Sequence, residues 1–196
     1  MSDTSASQHL SFFQKVQKGV RIAIARVREQ GLATTVLWFT ERTTRIIVGM
    51  SPSRTSRVLP NLYVGGQPKL SGLSIMARRG ISAVVDLRRE YGDAQHGLIY
   101  EKYLHLPTDD DSTPTLEELQ GAAQFIGECI TAGRGVYIHC ANGVGRAPTT
   151  AAAYLISTGL SADEAWSKIR QARPFIRPTK VQRVMIDQLA ARTKAG

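Results

Sequence analysis

The chain has 196 residues, 42% of them hydrophobic and 21% charged, a length and balance that suit one folded domain with a real core and exclude wholesale disorder. Its two cysteines, Cys129 and Cys140, cannot build a disulfide framework, and no Cys-x-x-Cys or His-x-x-x-His pair offers a structural metal site. Of the net charge of +9, +6 falls in residues 1–57, where nine lysines and arginines face three acids, a bias that suits nucleic acid, an anionic membrane surface or an acidic partner without choosing among them.

The start, Met1-Ser2-Asp3-Thr4-Ser5, is polar and lacks a basic region, so no secretory signal is expected. Residues 1–9 read as a disordered tail. Residues 10–48 read as helical: Phe12, Phe13, Val16, Val20, Ile24 and Val27 recur at helical spacing among basic residues, and Gly31 interrupts before a second helix. The longest uncharged stretch here, Gln30–Thr40, has eleven residues, where a membrane span needs about 20. Gly49-Met50-Ser51-Pro52-Ser53 is a breaker and marks a boundary. It divides a basic amphipathic helical extension, 1–50, from a second region, 51–196.

From Arg57 strands and helices alternate. Val58–Val64 reads as one strand, Leu70–Arg79 as a helix, and Ile81–Leu87 as a buried strand of continuous apolar character. Tyr100–Leu106 is a further strand, followed by an acidic loop over 107–114. Thr115 and Glu118 have capping-box spacing at the head of a helix reaching Thr131. Gly135–Cys140 is a short buried strand running into a glycine-rich turn, and helices follow over 148–157, 162–172 and 179–191. This order predicts a three-layer α/β domain with a central, mostly parallel sheet, carrying the N-terminal helices as an appendage.

The chemistry concentrates in His139-Cys140-Ala141-Asn142-Gly143-Val144-Gly145-Arg146, between a buried strand and a helix. A loop of this length can turn its backbone N–H groups inward as an anion nest at the positive end of the following helix, with Ala141, Asn142, Gly143, Val144, Gly145 and Arg146 as the binding set. Gly143 and Gly145 permit backbone paths that a side chain would obstruct. The same field stabilises a thiolate, so Cys140 is the expected nucleophile, with a lowered pKa. Arg146 supplies a planar fork matched to two phosphate oxygens. His139 reads as an orienting group, since an ionised thiol needs no base. Cys129, on the apolar face of a helix, reads as a core residue.

This segment resembles the signature loop of the cysteine-dependent protein tyrosine phosphatases, in their dual-specificity branch. The resemblance continues through Arg146-Ala147-Pro148-Thr149, Ala153-Tyr154-Leu155-Ile156 and Ile169-Arg170, and back through Leu59–Gly66 and Val84-Val85-Asp86-Leu87. It covers about residues 57–190 and implies phosphomonoester hydrolysis through a phosphocysteine intermediate, with no metal or other cofactor. It also implies a general acid on a loop about 30 residues before the cysteine. Asp109, Asp110 and Asp111 lie 31, 30 and 29 residues before Cys140, and spacing alone permits all three. Leu106–Asp111 is similar to the acid loop of the subgroup containing the mitochondrial phosphatidylglycerophosphate phosphatase, which selects Asp110. Repulsion from its neighbours should raise its pKa, helpful to a group that starts protonated. One departure stands out: the family usually has Ser or Thr after the arginine, where this chain has Ala147. Plant glucan phosphatases are similar in having Ala-Pro there.

The uncharged loop residues Ala141, Asn142 and Val144 disfavour polyphosphorylated inositides. They suit a single phosphomonoester: phosphotyrosine, phosphoserine or phosphothreonine in a protein, a lipid phosphate, or a phosphoglucan. A phosphate-reading binding module is the alternative of another class, although pure binding needs neither thiol nor acid. Nucleic acid is disfavoured, because the basic residues lie on amphipathic helices with no stacking platform. The expected location is cytoplasmic, with an option of peripheral contact with anionic membrane through residues 1–50. Arg173-Pro174-Phe175-Ile176-Arg177-Pro178 reads as a helix-breaking linker with incidental charge.

Overall fold

The structure, a computed structural model, describes residues 12–195; the expected tail at residues 1–9 lies outside them. Two helices lead, α1 (Phe12–Gln30) and α2 (Leu32–Val48). They part at Gly31, and α2 stops at Gly49, whose left-handed conformation (φ 90°) lets its N–H return to the Arg45 carbonyl. The expected single strand over Val58–Val64 is corrected to a hairpin of β1 (Arg57–Leu59) and β2 (Leu62–Gly66). Pro60 has no N–H to give a ladder, and with Asn61 it makes the turn.

Then follow α3 (Leu73–Arg78), β3 (Ile81–Arg88), β4 (Lys102–Thr108), α4 (Leu116–Thr131), β5 (Gly135–Cys140), α5 (Arg146–Ser157), α6 (Ala162–Ala172) and α7 (Lys180–Ala195). The sheet order is β1-β2-β5-β3-β4, with only the β1–β2 pair antiparallel. The fold class is as expected: a three-layer α/β domain on a mostly parallel sheet, with helices added at its N-terminal end.

Strand alternation sorts the layers. Leu62 and Val64, Ala83, Val85 and Leu87, and Val136, Ile138 and Cys140 face one side, where α4, α5, α6 and α7 cover them. Tyr63, Val84 and Tyr137 face the other side, toward Met50 and Met76. Helix α5 is buried along almost its whole length, which is why Ala151, Ala152 and Ala153 succeed one another there: small side chains let it fit between α4 and α7. Leu155, fully buried in the same helix, sets the scale of this packing, since removal of such a side chain costs about 2–5 kcal/mol. Cys129 is buried on the apolar face of α4, and burial pushes its thiol pKa up. Thr115 caps α4 in a full capping box with Glu118, and Ser161 does the same for α6 with Glu164.

Because β2, β5, β3 and β4 run parallel, their C-terminal ends open on one edge of the sheet. The Cys140 loop lies there, and so does α2.

Candidate active site

Cys140 is the last residue of β5 and is 3% exposed. Residues 141–145 turn back to the head of α5, and the Gly143 N–H donates to Cys140 Sγ at 3.3 Å. Gly143 has φ +63°, and a Cβ there would lie 2.3 Å from the Gly65 carbonyl, so only glycine fits. Gly145 is less constrained. Its φ is −125°, and a Cβ would meet the flexible Gln182 amide at 3.0 Å.

Arg146 begins α5 and is 1% exposed. Its Nη1 donates to the Thr108 carbonyl at 2.7 Å and to the Leu87 carbonyl at 3.3 Å, which ties it to the ends of β4 and β3. Glu90 accepts from both Nη atoms at 3.2 Å, and Asp110 Oδ1 lies 3.1 Å from Nη2. Partial burial would raise the Glu90 carboxyl, but hydrogen bonds from Arg146 and Arg88 outweigh it and bring its pKa to about 2. Burial alone would lower the Arg146 guanidinium; Glu90 and the charges at Cys140 and Asp110 reverse that and raise it. Arg146 Nε is buried and has no partner among the described residues.

The three aspartates of the acid loop go to different places. Asp110 reaches Arg146. Asp109 pairs with Arg89 at 2.7 Å. Asp111 has φ +61°, and its carbonyl accepts from Thr179 Oγ1 at 3.2 Å. Ala141, Asn142 and Val144 line the loop between Cys140 and Arg146. The Asn142 side chain accepts from Arg42 of α2 at 2.5 Å.

His139 is fully buried beneath the loop, with Nε2 3.0 Å from Asp93 Oδ2 and Nδ1 3.8 Å from Asp86 Oδ1. Burial would raise Asp93, but hydrogen bonds from His139, Gln67 and Tyr100 hold it below the usual carboxylate range. Asp86 Oδ2 accepts from Tyr103 at 3.0 Å. The two carboxylates are thus spent on hydrogen bonds that fix the strand beneath the cysteine.

Three residues of this site went unread in the sequence. Glu90 is one, the carboxylate partner of Arg146. Arg173 corrects the reading of 173–178 as a linker with incidental charge. It is fully buried, and its guanidinium donates to the carbonyls of Gly143 (2.6 Å), Asn142 (3.0 Å) and Thr55 (2.8 Å). Its counter-ion is Glu41 of α2, buried at 3% exposure and 3.4 Å away. Glu41 also accepts from Ser51 at 2.6 Å and lies 3.5 Å from Arg45, while Arg45 in turn donates to the Gln67 carbonyl at 3.2 Å. A lone acid followed four residues later by Arg45, on an otherwise basic helix, was the available signal. Helix α2 is therefore built into the back of the Cys140 loop rather than hung beside the domain.

A strand-borne cysteine and a buried arginine at a helix head, joined by a loop that only glycine can close, define a class of anion-handling α/β site. Residues 62–190 match the family model for the dual specificity phosphatase catalytic domain; the chain belongs to this phosphatase family. It is 29% identical over 125 residues to dual specificity protein phosphatase 8 of Mus musculus, which covers 63% of this chain and 19% of that protein. With dual specificity protein phosphatase 2 of Mus musculus it is 32% identical over 123 residues, 62% of this chain and 38% of that protein. The chain thus spans well under half the length of either relative. Among solved structures, Tk-PTP in its active form is 31% identical with a TM-score of 0.59, covering 65% of this chain and 89% of that one. PTPMT1 in complex with PI(5)P, at 23% identity and a TM-score of 0.65, covers 70% of this chain and 95% of that one and shares its fold.

Proposed function

We propose that this chain hydrolyses phosphomonoesters, of phosphotyrosine, phosphoserine or phosphothreonine in proteins or of a lipid, through a phosphocysteine intermediate. The observation that carries this is the pairing of the Gly143 N–H on Cys140 Sγ with an Arg146 fork anchored to the ends of β3 and β4. A phosphate seated in the loop meets backbone N–H groups, the positive end of α5 and the Arg146 Nη2 and Nε donors. Asp110 leaves the guanidinium as the phosphate arrives, takes up a proton from solvent once it is away from that cation, and turns its carboxylic acid to the ester oxygen. The Cys140 thiolate attacks phosphorus, the P–O bond breaks, and Asp110 gives its proton to the departing alcohol. Water then attacks the phosphocysteine, Asp110 takes the water proton, and the S–P bond breaks to return the thiolate.

Rapid quenching with a ³²P-labelled substrate tests this. Label bound to protein in acid, released on dilution into unlabelled substrate and missing from Cys140→Ser, is the expected result. A phosphate-reading binding module gives reversible binding with no covalent label, and that outcome overturns the proposal.

One surface favours a substrate presented at an anionic membrane. Leu32, Val36, Phe39, Ile46 and Ile47 form a stripe on α2 with exposures of 47–74%. The surrounding N-terminal region is basic, and no helix among the described residues is long and apolar enough to cross a membrane. An in-plane contact fits this pattern. Sedimentation with phosphatidylglycerol-containing vesicles should be strong for the natural chain and weak for Phe39→Glu/Ile47→Glu; equal sedimentation rejects the contact.

A further inference from the structure

Beside the two catalytic loops lies a second basic site. A groove of about 640 Å³ is walled by Val144 of the Cys140 loop, Asp111 of the acid loop, and Arg26, Arg170, Arg177 and Arg183. Val144 and Asp111 place it next to the active site. The Arg177 N–H donates to the Val144 carbonyl at 2.7 Å, and Thr179 Oγ1 donates to the Asp111 carbonyl at 3.2 Å. The charge is unbalanced: four guanidiniums face two carboxylates, Glu29 and Asp111, and Glu29 is already spent on Arg177 at 2.6 Å. Arg170 and Arg183 are exposed and make no ion pair or side-chain hydrogen bond among the described residues.

Arg26 is the unusual member. It lies on α1, outside the residues matched to the family domain. It is 4% exposed, stacked over Trp38 at 4.3 Å, and its Nε has no partner among the described residues. Burial, and then the neighbouring charge of Arg177, lower its pKa to about 10. This is the behaviour of a buried cation with less than its share of negative charge nearby.

We propose that this groove binds a second phosphate group, carried on the same small skeleton as the phosphate that Cys140 attacks, and so selects substrates bearing two phosphates. The inference rests on the phosphatase reading above. Guanidinium forks match phosphate oxygens in pairs, and several of them converging suit a compact dianion. None of the lining residues belongs to a strand, so the groove offers no sheet edge for a peptide backbone to join. The second phosphate has two possible sources, a soluble bisphosphate or the phosphodiester of a lipid headgroup that ends in a phosphomonoester.

The experiment compares kcat/KM within two pairs. The soluble pair is 1,3-propanediol bisphosphate against its monophosphate. The lipid pair is a dihexanoyl glycerophospholipid with a terminal phosphomonoester beyond its phosphodiester, against dihexanoyl phosphatidic acid, both below micellar concentration. The natural chain should prefer the two-phosphate member of at least one pair by about tenfold or more. In Arg170→Gln/Arg183→Gln, two exposed positions, that ratio should fall below about threefold. Preference in the soluble pair assigns a free bisphosphate, and preference in the lipid pair alone assigns the headgroup. A ratio near one in both pairs, a ratio unchanged in the double variant, or an arginine-dependent gain confined to doubly phosphorylated peptides overturns the proposal. Calorimetric binding of the same four ligands to Cys140→Ser reads the groove without turnover. If the natural chain leaves p-nitrophenyl phosphate intact yet binds two-phosphate ligands in an arginine-dependent way, the phosphatase reading fails and the groove stands.

Discussion

The two loops that meet at Arg146 are built in opposite ways. The Cys140 loop is half-buried between the buried Cys140 and Arg146, closed by Gly143, braced from behind by Arg173 and Glu41, and anchored below by His139. The acid loop turns its carboxylates outward: Asp109 pairs with Arg89 and Asp110 with the buried Arg146, their own side chains 68% and 78% exposed. Thr179 and Gln182 hold only the carbonyls of Asp111 and Ser112. An exposed pair such as Asp109–Arg89 contributes about 1 kcal/mol or less. An anion cradle works best when its dipoles are already in place, whereas a group that gives a proton and then takes one back must be able to move. Rigidity and mobility are divided between the loops along this line.

The largest effect expected from breaking the rigid side is at Cys140. Cys140→Ser should lower p-nitrophenyl phosphate hydrolysis about 10³-fold or more, the scale of a lost nucleophile, while phosphate protects the variant from unfolding as it does the natural chain. Activity within tenfold of the natural chain rejects the assignment. On the mobile side, Asp110→Asn should cost about 10²–10⁴ in kcat for an alkyl phosphate, and less for an aryl phosphate whose leaving group needs no proton. Asp109→Asn and Asp111→Asn should change either rate only a few-fold. A larger loss at 109 or 111 moves the acid along the loop.

Arg173→Met tests the bracing. It removes three carbonyl contacts and leaves Glu41 buried with Arg45 as its cation, so urea unfolding should show a loss of about 3–5 kcal/mol. Glu41→Gln alone should cost a similar amount, because it leaves Arg173 and Arg45 buried without their carboxylate even though the amide still accepts from Ser51. The two changes together should fall short of their sum. Strict additivity means that Arg173 supports the loop without help from α2.

How far the sequence carried follows the same division. Strand β5, the glycine turn and the helix after it were legible because they are local: a continuous apolar run, two glycines and Pro148 lie within 14 residues, 135–148. The class of fold followed from alternating strands and helices. What stayed hidden was contact between distant segments. Arg173 meets Gly143 across 30 positions, and Glu41 meets Arg173 across far more. A buried ion pair looks in sequence like any two surface charges, and α2 has the basic amphipathic texture of a surface helix although its Glu41 and Arg45 face inward. The β1–β2 turn was missed for the reverse reason: a short local signal, Pro60-Asn61, sat inside an otherwise convincing apolar run.

A smaller effect lies at Glu90, where the loops share Arg146. Its folded pKa of about 2 is below the ordinary 4.5, so the folded state binds fewer protons than the unfolded chain. The stabilisation is therefore present above about pH 4.5 and is lost as the pH falls toward 2. With the side chain 44% exposed, screening holds it to about 1 kcal/mol or less. Glu90→Gln should flatten the drop in Tm between pH 5 and pH 3; an unchanged slope assigns acid sensitivity to Asp93 instead.

The subtlest test is at Ala147, fully buried in the first turn of α5. The family resemblance implies a hydroxyl here that helps the thiolate depart from the phosphocysteine. The nearby hydroxyls are already committed: Thr149 donates to the Gly145 carbonyl at 2.9 Å and Thr150 to the Arg146 carbonyl at 3.2 Å. The Gly143 N–H is left as the hydrogen-bond donor on Sγ. Breakdown of the intermediate should then be slower than its formation, and rapid mixing should show a product burst approaching one equivalent per enzyme. A hydroxyl donating to a developing thiolate contributes about 1.5 kcal/mol, so Ala147→Ser should shrink the burst and raise steady-state turnover a few-fold, up to about tenfold. No burst in the natural chain and no gain in the variant mean that the backbone N–H and the helix dipole already suffice to release the sulfur.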